Sequence, residues 1–363
     1  MKIRLFLANF FQVFPFCLVL VHGVFLRSGN ENEYQWAVVF SMGLYSAIQV
    51  GGVWLISWIP RMVLSKTSFW NVLRVIGGFL YLVDNSFSII LGAGLIGLSQ
   101  ALFYRFSRQM VSIYWKNNPA ESDQVFTLMV LALNLSYLLI PIVGAELIKY
   151  VSLSYLMVIA IFLSIIGNLL ISKNQIALQF DNQGNDKNNI PLDKSNAVTV
   201  QTNPSLWNIF IDIFYLGSFV VPYGIMMSLI PLKTKALGLN VETNGKLFSL
   251  NALVVIAVLF LKSFFTKEFL EKIDLTRKLR SMSILAWVLV IFAGFVSLRW
   301  LVVSFIFWSM LEAIQLPTLE RHIFSKREYS QKWIDRILVV DAIGSFVAPL
   351  FASVLISIHG GVL

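Results

Sequence analysis

The sequence predicts an all-α polytopic membrane protein built from two pseudo-repeated helix bundles, six spans followed by five. Three observations carry this. The chain is 57% hydrophobic and 13% charged, with a mean hydropathy of +0.76, whereas a soluble domain carries about 25% charged residues. Apolar runs of about 20 residues, enough to cross the hydrocarbon core as helices, recur from end to end. Alternating segments of about ten residues, as in membrane β-barrels, are not found.

The spans fall at 5–26, 36–58, 69–84, 87–107, 124–147, 151–172, 206–231, 246–265, 280–297, 299–319 and 334–357. Span one follows the basic start "MKIR". Its apolar run has no small-residue cleavage site, so it is expected to be a retained helix and not a signal peptide. Spans three and four are separated by a tight "DNS" turn, and nine and ten by "SLR". Span five carries the Pro-and-small-residue patch "LIPIVGAEL" at 139–147, and span eleven carries "FVAPLFASVL" at 346–355. The longest polar stretch, Lys173 to Ser205, is rich in Asn, Asp and Gly and marks a linker. Three regions follow: a six-helix bundle at 1–172, a cytoplasmic linker at 173–205, and a five-helix bundle at 206–363.

Charge sets the orientation. With the N-terminus inside, 22 of the 28 Lys and Arg residues fall on the inner side, Arg74 counted among them. Arg27, Lys149, Lys233, Lys235, Lys246 and Arg299 remain outside. This bias places the N-terminus and the linker in the cytoplasm and Leu363 outside. The net charge of +9 therefore reports topology, and no nucleic-acid partner is expected.

Other chemistries find no support. The single cysteine, Cys17, excludes a disulfide framework. His22 has no second ligand at a useful spacing, so no metal is expected. No Gly-rich phosphate loop, HExxH pair or Gly-x-Ser-x-Gly turn occurs, which argues against a pump, a metalloprotease and a hydrolase. No enzyme activity and no cofactor are expected.

Polar groups inside the spans are informative because hydrocarbon makes them costly. On span eleven, Asp341, Ser345, Ala348 and Ala352 share one face, which turns the acid toward the bundle. On span ten, Trp308, Glu312 and Gln315 form an aromatic, acid and amide face suited to an amphipathic or cationic ligand. Asp212 opens span seven, where a first-turn acid also complements the helix dipole. Arg105 continues the small-residue face of Gly94, Gly97 and Ala101. Gln12, Gln49, Asn134 and Asn251 are neutral polar positions on spans one, two, five and eight. Each has a plain structural alternative: a fixed interhelical hydrogen bond, a helix-end acid, or a snorkelling arginine.

This organisation resembles the major facilitator superfamily: six plus six helices, a long central cytoplasmic loop, and basic loops after spans two and eight. In "VWLISWIPRMVLSK", Pro60 and Arg61 are similar to the gating loop of macrolide-efflux-like members. Ser57 and Trp58 stand where the superfamily carries Asp and Arg. "GLSQALFYRFSRQMVSIYWKNNPAESDQVFTL" resembles the span-four exit of efflux members, and "MLEAIQLPTLERHIFSKREYSQKWIDR" the span-ten exit of drug exporters. The second half stops where a twelfth helix would begin, so truncation is expected.

The resemblance implies a secondary active transporter working by alternating access. It points to a proton-coupled exporter of a small amphipathic molecule or drug, with Asp341, Glu312 and Asp212 as proton-coupling residues. Gln12, Gln49, Arg105, Asn134, Asn251, Trp308 and Gln315 would line the cavity. The implied partners are the bilayer, the substrate and protons, for a monomer in the cell membrane. Import of a nutrient or lipid is the alternative in the same class. A non-transporting immunity factor, sensor or degenerate paralogue is the alternative in another.

Overall fold

The computed structural model describes residues 2–27, 67–117, 119–170, 237–262 and 297–325. It also describes single positions between 37 and 48, between 207 and 235, and at 347. Among the described residues the fold is helical, with no strand.

The first crossing is broken and not continuous. Helix α1, Lys2–Gln12, ends at Val13; α2, Phe14–Cys17, carries Pro15 in its first turn. Pro15 has no N–H to continue the ladder from α1. A π-helical turn, Leu18–Gly23, and α3, Val24–Arg27, complete the crossing. Single π turns inside helices are rare and cluster at functional sites.

Helices α4, Thr67–Leu82, and α5, Ser86–Asn117, form an antiparallel hairpin across the predicted turn. Asn85 makes the reversal: its Oδ1 accepts from the N–H groups of Phe87, at 2.9 Å, and Ser88, at 3.2 Å. This satisfies donors that a helix start otherwise leaves orphaned. Helix α5 runs ten residues past the predicted end at 107. A helix stops where its backbone must, not where the apolar run ends.

Helix α6, Pro119–Leu147, and α7, Leu153–Leu170, follow. In the second half, Gly238 takes a positive φ of 68° that suits glycine. Asn240 then caps α8, Val241–Lys262, by accepting from Thr243 N–H at 2.9 Å. Helix α9, Leu298–Ser325, is capped more loosely by Ser297 Oγ, 3.4 Å from Trp300 N.

Among the described residues, four helices are long and apolar enough to cross a membrane: Ser86–Tyr104, Leu128–Leu147, Leu153–Leu170 and Val241–Leu261. They match predicted spans four, five, six and eight. Spans two, seven, nine and eleven, the linker at 173–205 and the six-plus-five count lie outside the described residues, single positions apart.

Large apolar side chains such as Phe79, Phe87, Phe162, Phe260 and Trp300 face outward. In water such a surface would drive association; against lipid tails it costs nothing. The interior therefore cannot rely on hydrophobic collapse and uses close packing and hydrogen bonds instead. Helix α1 packs on α6 and α7, and α4 on α5 and α7. Helix α6 then packs on α8, and α8 on α9, so the α6–α8 contact joins the two halves of the chain.

Candidate functional site

Two features stand out: a polar network inside the first bundle, and a closure between the halves at the end predicted to be external.

The network is centred on Arg74 of α4, which is fully buried. Charge placement along the sequence counts Arg74 with the inner-side cations, and the structure corrects this. Arg74 lies in the helix interior because its guanidinium finds amide oxygens there. Its Nη1 donates to Gln12 Oε1, and its Nη2 donates to Gln100 Oε1 at 2.9 Å. The network continues through Gln12. Its Nε2 donates to Asn168 Oδ1 at 2.7 Å and to Ser164 O at 2.9 Å. Asn168 Nδ2 then donates to Asn71 Oδ1 at 2.6 Å. One chain of bonds thus ties α1, α4, α5 and α7. An arginine at a helix centre costs about 2.5–3.5 kcal/mol on insertion scales, while interhelical hydrogen bonds return about 0.6 kcal/mol each. Bonds to a charged donor are stronger, about 1.5–3 kcal/mol.

The closure is built from backbone contact and charge. At Gly245 of α8, a Cβ would lie 2.5 Å from Pro141 O and 3.2 Å from Ala145 Cβ of α6. Only glycine permits that approach. Lys149, just after α6, pairs with Glu146 at 2.8 Å and with Glu242 of α8 at 2.5 Å. Lys235 Nζ reaches across to Phe25 O at the end of α3, at 2.8 Å, and lies 5.8 Å from that ring. The hydrogen-bonded carboxylates, Glu146 first and then Glu242, hold the Lys149 pKa above the usual lysine range. The pair is lost as pH rises through the higher folded lysine value, and also at acid pH, where Glu242, held below the usual carboxylate range by its bond to Lys149, takes up a proton.

Lys149→Ala is expected to loosen this end with little effect on stability, because exposed pairs contribute weakly. Spin labels on cysteines replacing the exposed Tyr150 and Leu237, in a Cys17→Ser background, should show a broader distance distribution at an unchanged melting temperature. An unchanged distribution would remove Lys149 from the closure.

Behind Pro141 lies His22, on the π-helical turn and fully buried. A Cβ at Gly144 would come within 2.6 Å of His22 Nε2, so the small patch on α6 makes room for the ring.

The predicted site residues separate into three groups. Gln12 is a hydrogen-bonded member of the network. Asn134 is half-buried and bonds to Val130 O of its own helix at 2.9 Å. Asn251 is buried on α8, and Trp308 is buried on α9, stacked on Phe305 with centroids 6.0 Å apart. Arg105, Glu312 and Gln315 are positions on α5 and α9 whose side chains fall outside the described residues. Asp341, Asp212, Gln49, Pro60 and Arg61 also lie outside them. Sequence reasoning missed Gln100, Asn168, Glu242 and the burial of Arg74. The available signal for Arg74 was its place five residues inside span three with no acid beside it.

A broken first helix, helices of the first half tied together by polar bonds, and a second half meeting them through α6 and α8 describe a multi-helix membrane fold. The solved structures most similar to it include several transporters. A POT family transporter in complex with a thioalcohol-conjugated peptide has a TM-score of 0.70 at 14% identity, covering 99% of this chain and 91% of that one. A mutant of the peptide transporter POT, in complex with sulfate, gives 0.67 at 14% identity over 97% and 88%. A POT family transporter with 5-aminolevulinic acid gives 0.66 at 14% over 99% and 91%. At such identity the likeness speaks for the fold alone. No curated protein matches the chain. The sequence profile of the Major Facilitator Superfamily matches residues 5–349, nearly the whole length, and the chain therefore belongs to that superfamily of membrane transporters.

Proposed function

We propose that this secondary transporter works as a proton-coupled exporter of a small amphipathic molecule, by alternating access between its two bundles. The observation that supports it most is the closure of one end. Pro141 and Gly245 meet backbone to backbone, and the Lys149–Glu242 pair seals them. A contact between halves that is tight at one end, and held by exposed ion pairs, is suited to opening and closing around a central site. Export follows from the efflux-like stretches at 97–128 and 310–336. Proton coupling rests on Asp341 and Glu312, two acids on apolar spans, where hydrocarbon makes an ionised carboxylate costly.

Transport of short peptides is a second reading. What favours it is the POT family neighbours, which span 97% or more of this chain.

The test is flux in proteoliposomes with and without an imposed pH gradient, using ethidium as an amphipathic cation and a dipeptide as the competing probe. Ethidium flux driven by the gradient is expected, and Asp341→Asn should abolish gradient-driven accumulation while leaving downhill exchange. Full accumulation in that variant would sink the coupling role, and dipeptide flux alone would replace export of amphiphiles with the second reading.

A further inference from the structure

The first crossing reaches the closure through the π-helical turn, Leu18–Gly23, where His22 stands fully buried. This turn packs on α6 and on α8, and α3, which follows it, also meets α8. The imidazole lies against Gly144 of α6: a Cβ there would come within 2.6 Å of His22 Nε2 and 3.0 Å of its Cδ2. Neither ring nitrogen makes a well-formed hydrogen bond among the described residues, although the Pro141 carbonyl is close by. Buried polar side chains are normally hydrogen-bonded, and one that is not calls for an explanation. Here the ring is fixed by the shape of its seat.

The seat is closed from behind. At Gly23, the next residue, a Cβ would overlap the Tyr81 hydroxyl of α4. Tyr81 in turn stands in backbone contact with α5, its Cα 2.9 Å from the Cβ position of Gly92. The π-helical turn is thus pressed between the α4–α5 hairpin and α6, and its backbone cannot withdraw from Gly144 without moving the hairpin. On the far side, Gly144 lies three residues after Pro141 and one before Ala145. Residues three or four apart share a helix face, and Pro141 O and Ala145 Cβ are the atoms that meet Gly245 of α8. A single turn of α6 therefore makes both contacts, one with His22 and one with the second half. Close packing transmits a shift at one contact to the other.

We infer that His22 is a positioning residue for transport: its ring sets where the turn of α6 at residues 141–145 stands when this end is closed. It acts through Pro141 and Ala145, the residues that meet Gly245. Overfilling the Gly144 seat pushes this turn out of register with α8, and shortening His22 makes room for the added atom. The inference rests on the closure being one state of an alternating-access cycle. It is independent of the substrate, of the direction of transport and of the coupling ion.

The experiment measures the distance between spin labels on cysteines replacing Tyr150 and Leu237, in the full-length Cys17→Ser protein in proteoliposomes. Gly144→Ala is expected to cut the short-distance fraction roughly threefold or more, because its methyl takes the place of His22 Nε2. Adding His22→Ala should restore that fraction to within about twofold of the parent, since the smaller side chain gives the methyl room. Val143→Ala, at an outward-facing position beside Gly144, is the control and should match the parent. If Gly144→Ala alone yields no monodisperse protein, the readout becomes recovery of the monodisperse peak by the double variant, and no recovery counts against the inference. A parental distribution in Gly144→Ala, or the same loss with and without His22, would overturn it. So would lower melting temperatures in both single variants at parental distances, the mark of a ring that only fills space. Failure of alternating access shows separately, as one unchanging distance in the parent with and without ethidium under a pH gradient. His22 is judged by the difference between the variants and that parent.

Discussion

Gly245→Val is expected to abolish net transport while leaving the protein folded in the membrane. The Cβ would lie 2.5 Å from Pro141 O and 3.1 Å from Pro141 C, both backbone atoms of α6. No rotamer relieves such a contact, so α6 and α8 must separate. Overpacking of this kind costs about 1–3 kcal/mol. Every 1.4 kcal/mol changes a two-state ratio about tenfold, and the whole penalty falls on the state closed at this end. The spin-label pair replacing Tyr150 and Leu237 should therefore shift to longer distances, with the short-distance population reduced roughly tenfold or more. A wild-type distance distribution together with normal flux would remove the Pro141–Gly245 contact from the transport cycle.

Gly92→Val is expected to have the largest effect on folding. A Cβ at Gly92 would lie 2.6 Å from Gly77 O and 2.9 Å from Tyr81 Cα, and closer still to Tyr81 N. Gly77 faces the same limit, with Gly92 O 2.8 Å from its own Cβ position. The hairpin α4–α5 is thus in backbone contact on both sides. Forcing it apart also removes the Arg74–Gln100 bond and the bond from Ser99 Oγ to Trp70 O, 2.9 Å long. The result is a buried cation with fewer acceptors, beyond the steric cost. Size-exclusion profiles of a fluorescent fusion should lose the monodisperse peak in Gly92→Val and keep part of it in Gly92→Ala. Leu91→Val, at a lipid-facing position 40% exposed, is the control and should behave as wild type. Equal profiles for Gly92→Val and the control would refute close hairpin packing.

Membrane insertion explains why so much of the fold is legible in the sequence. The cost of placing a residue in hydrocarbon is paid locally, segment by segment, so apolar length marks each span without reference to its neighbours. Turns are legible for the same reason. Asn85 caps α5 from two residues away, and the reversal falls at the "DNS" turn. Helix ends are less legible: α5 continues to Asn117 because polar residues extend a helix into water as readily as apolar ones.

The sequence by itself determined an all-helical membrane protein, the turn between spans three and four, and the resemblance to a superfamily that the profile match then established. The tertiary structure alone decided which polar groups meet. Gln12 bonds to Arg74, 62 residues on, and to Asn168, 156 residues on. Lys149 reaches Glu242, and Gly245 makes room for Pro141. These pairings depend on how each helix is rotated and where it crosses its neighbours. Helices that are apolar on the lipid side and the packed side alike leave little periodic signal of that rotation. Arg74 shows the consequence: its charge could be counted from the sequence, but its place in the bundle interior follows from amide oxygens that three other helices bring to it or fix in place.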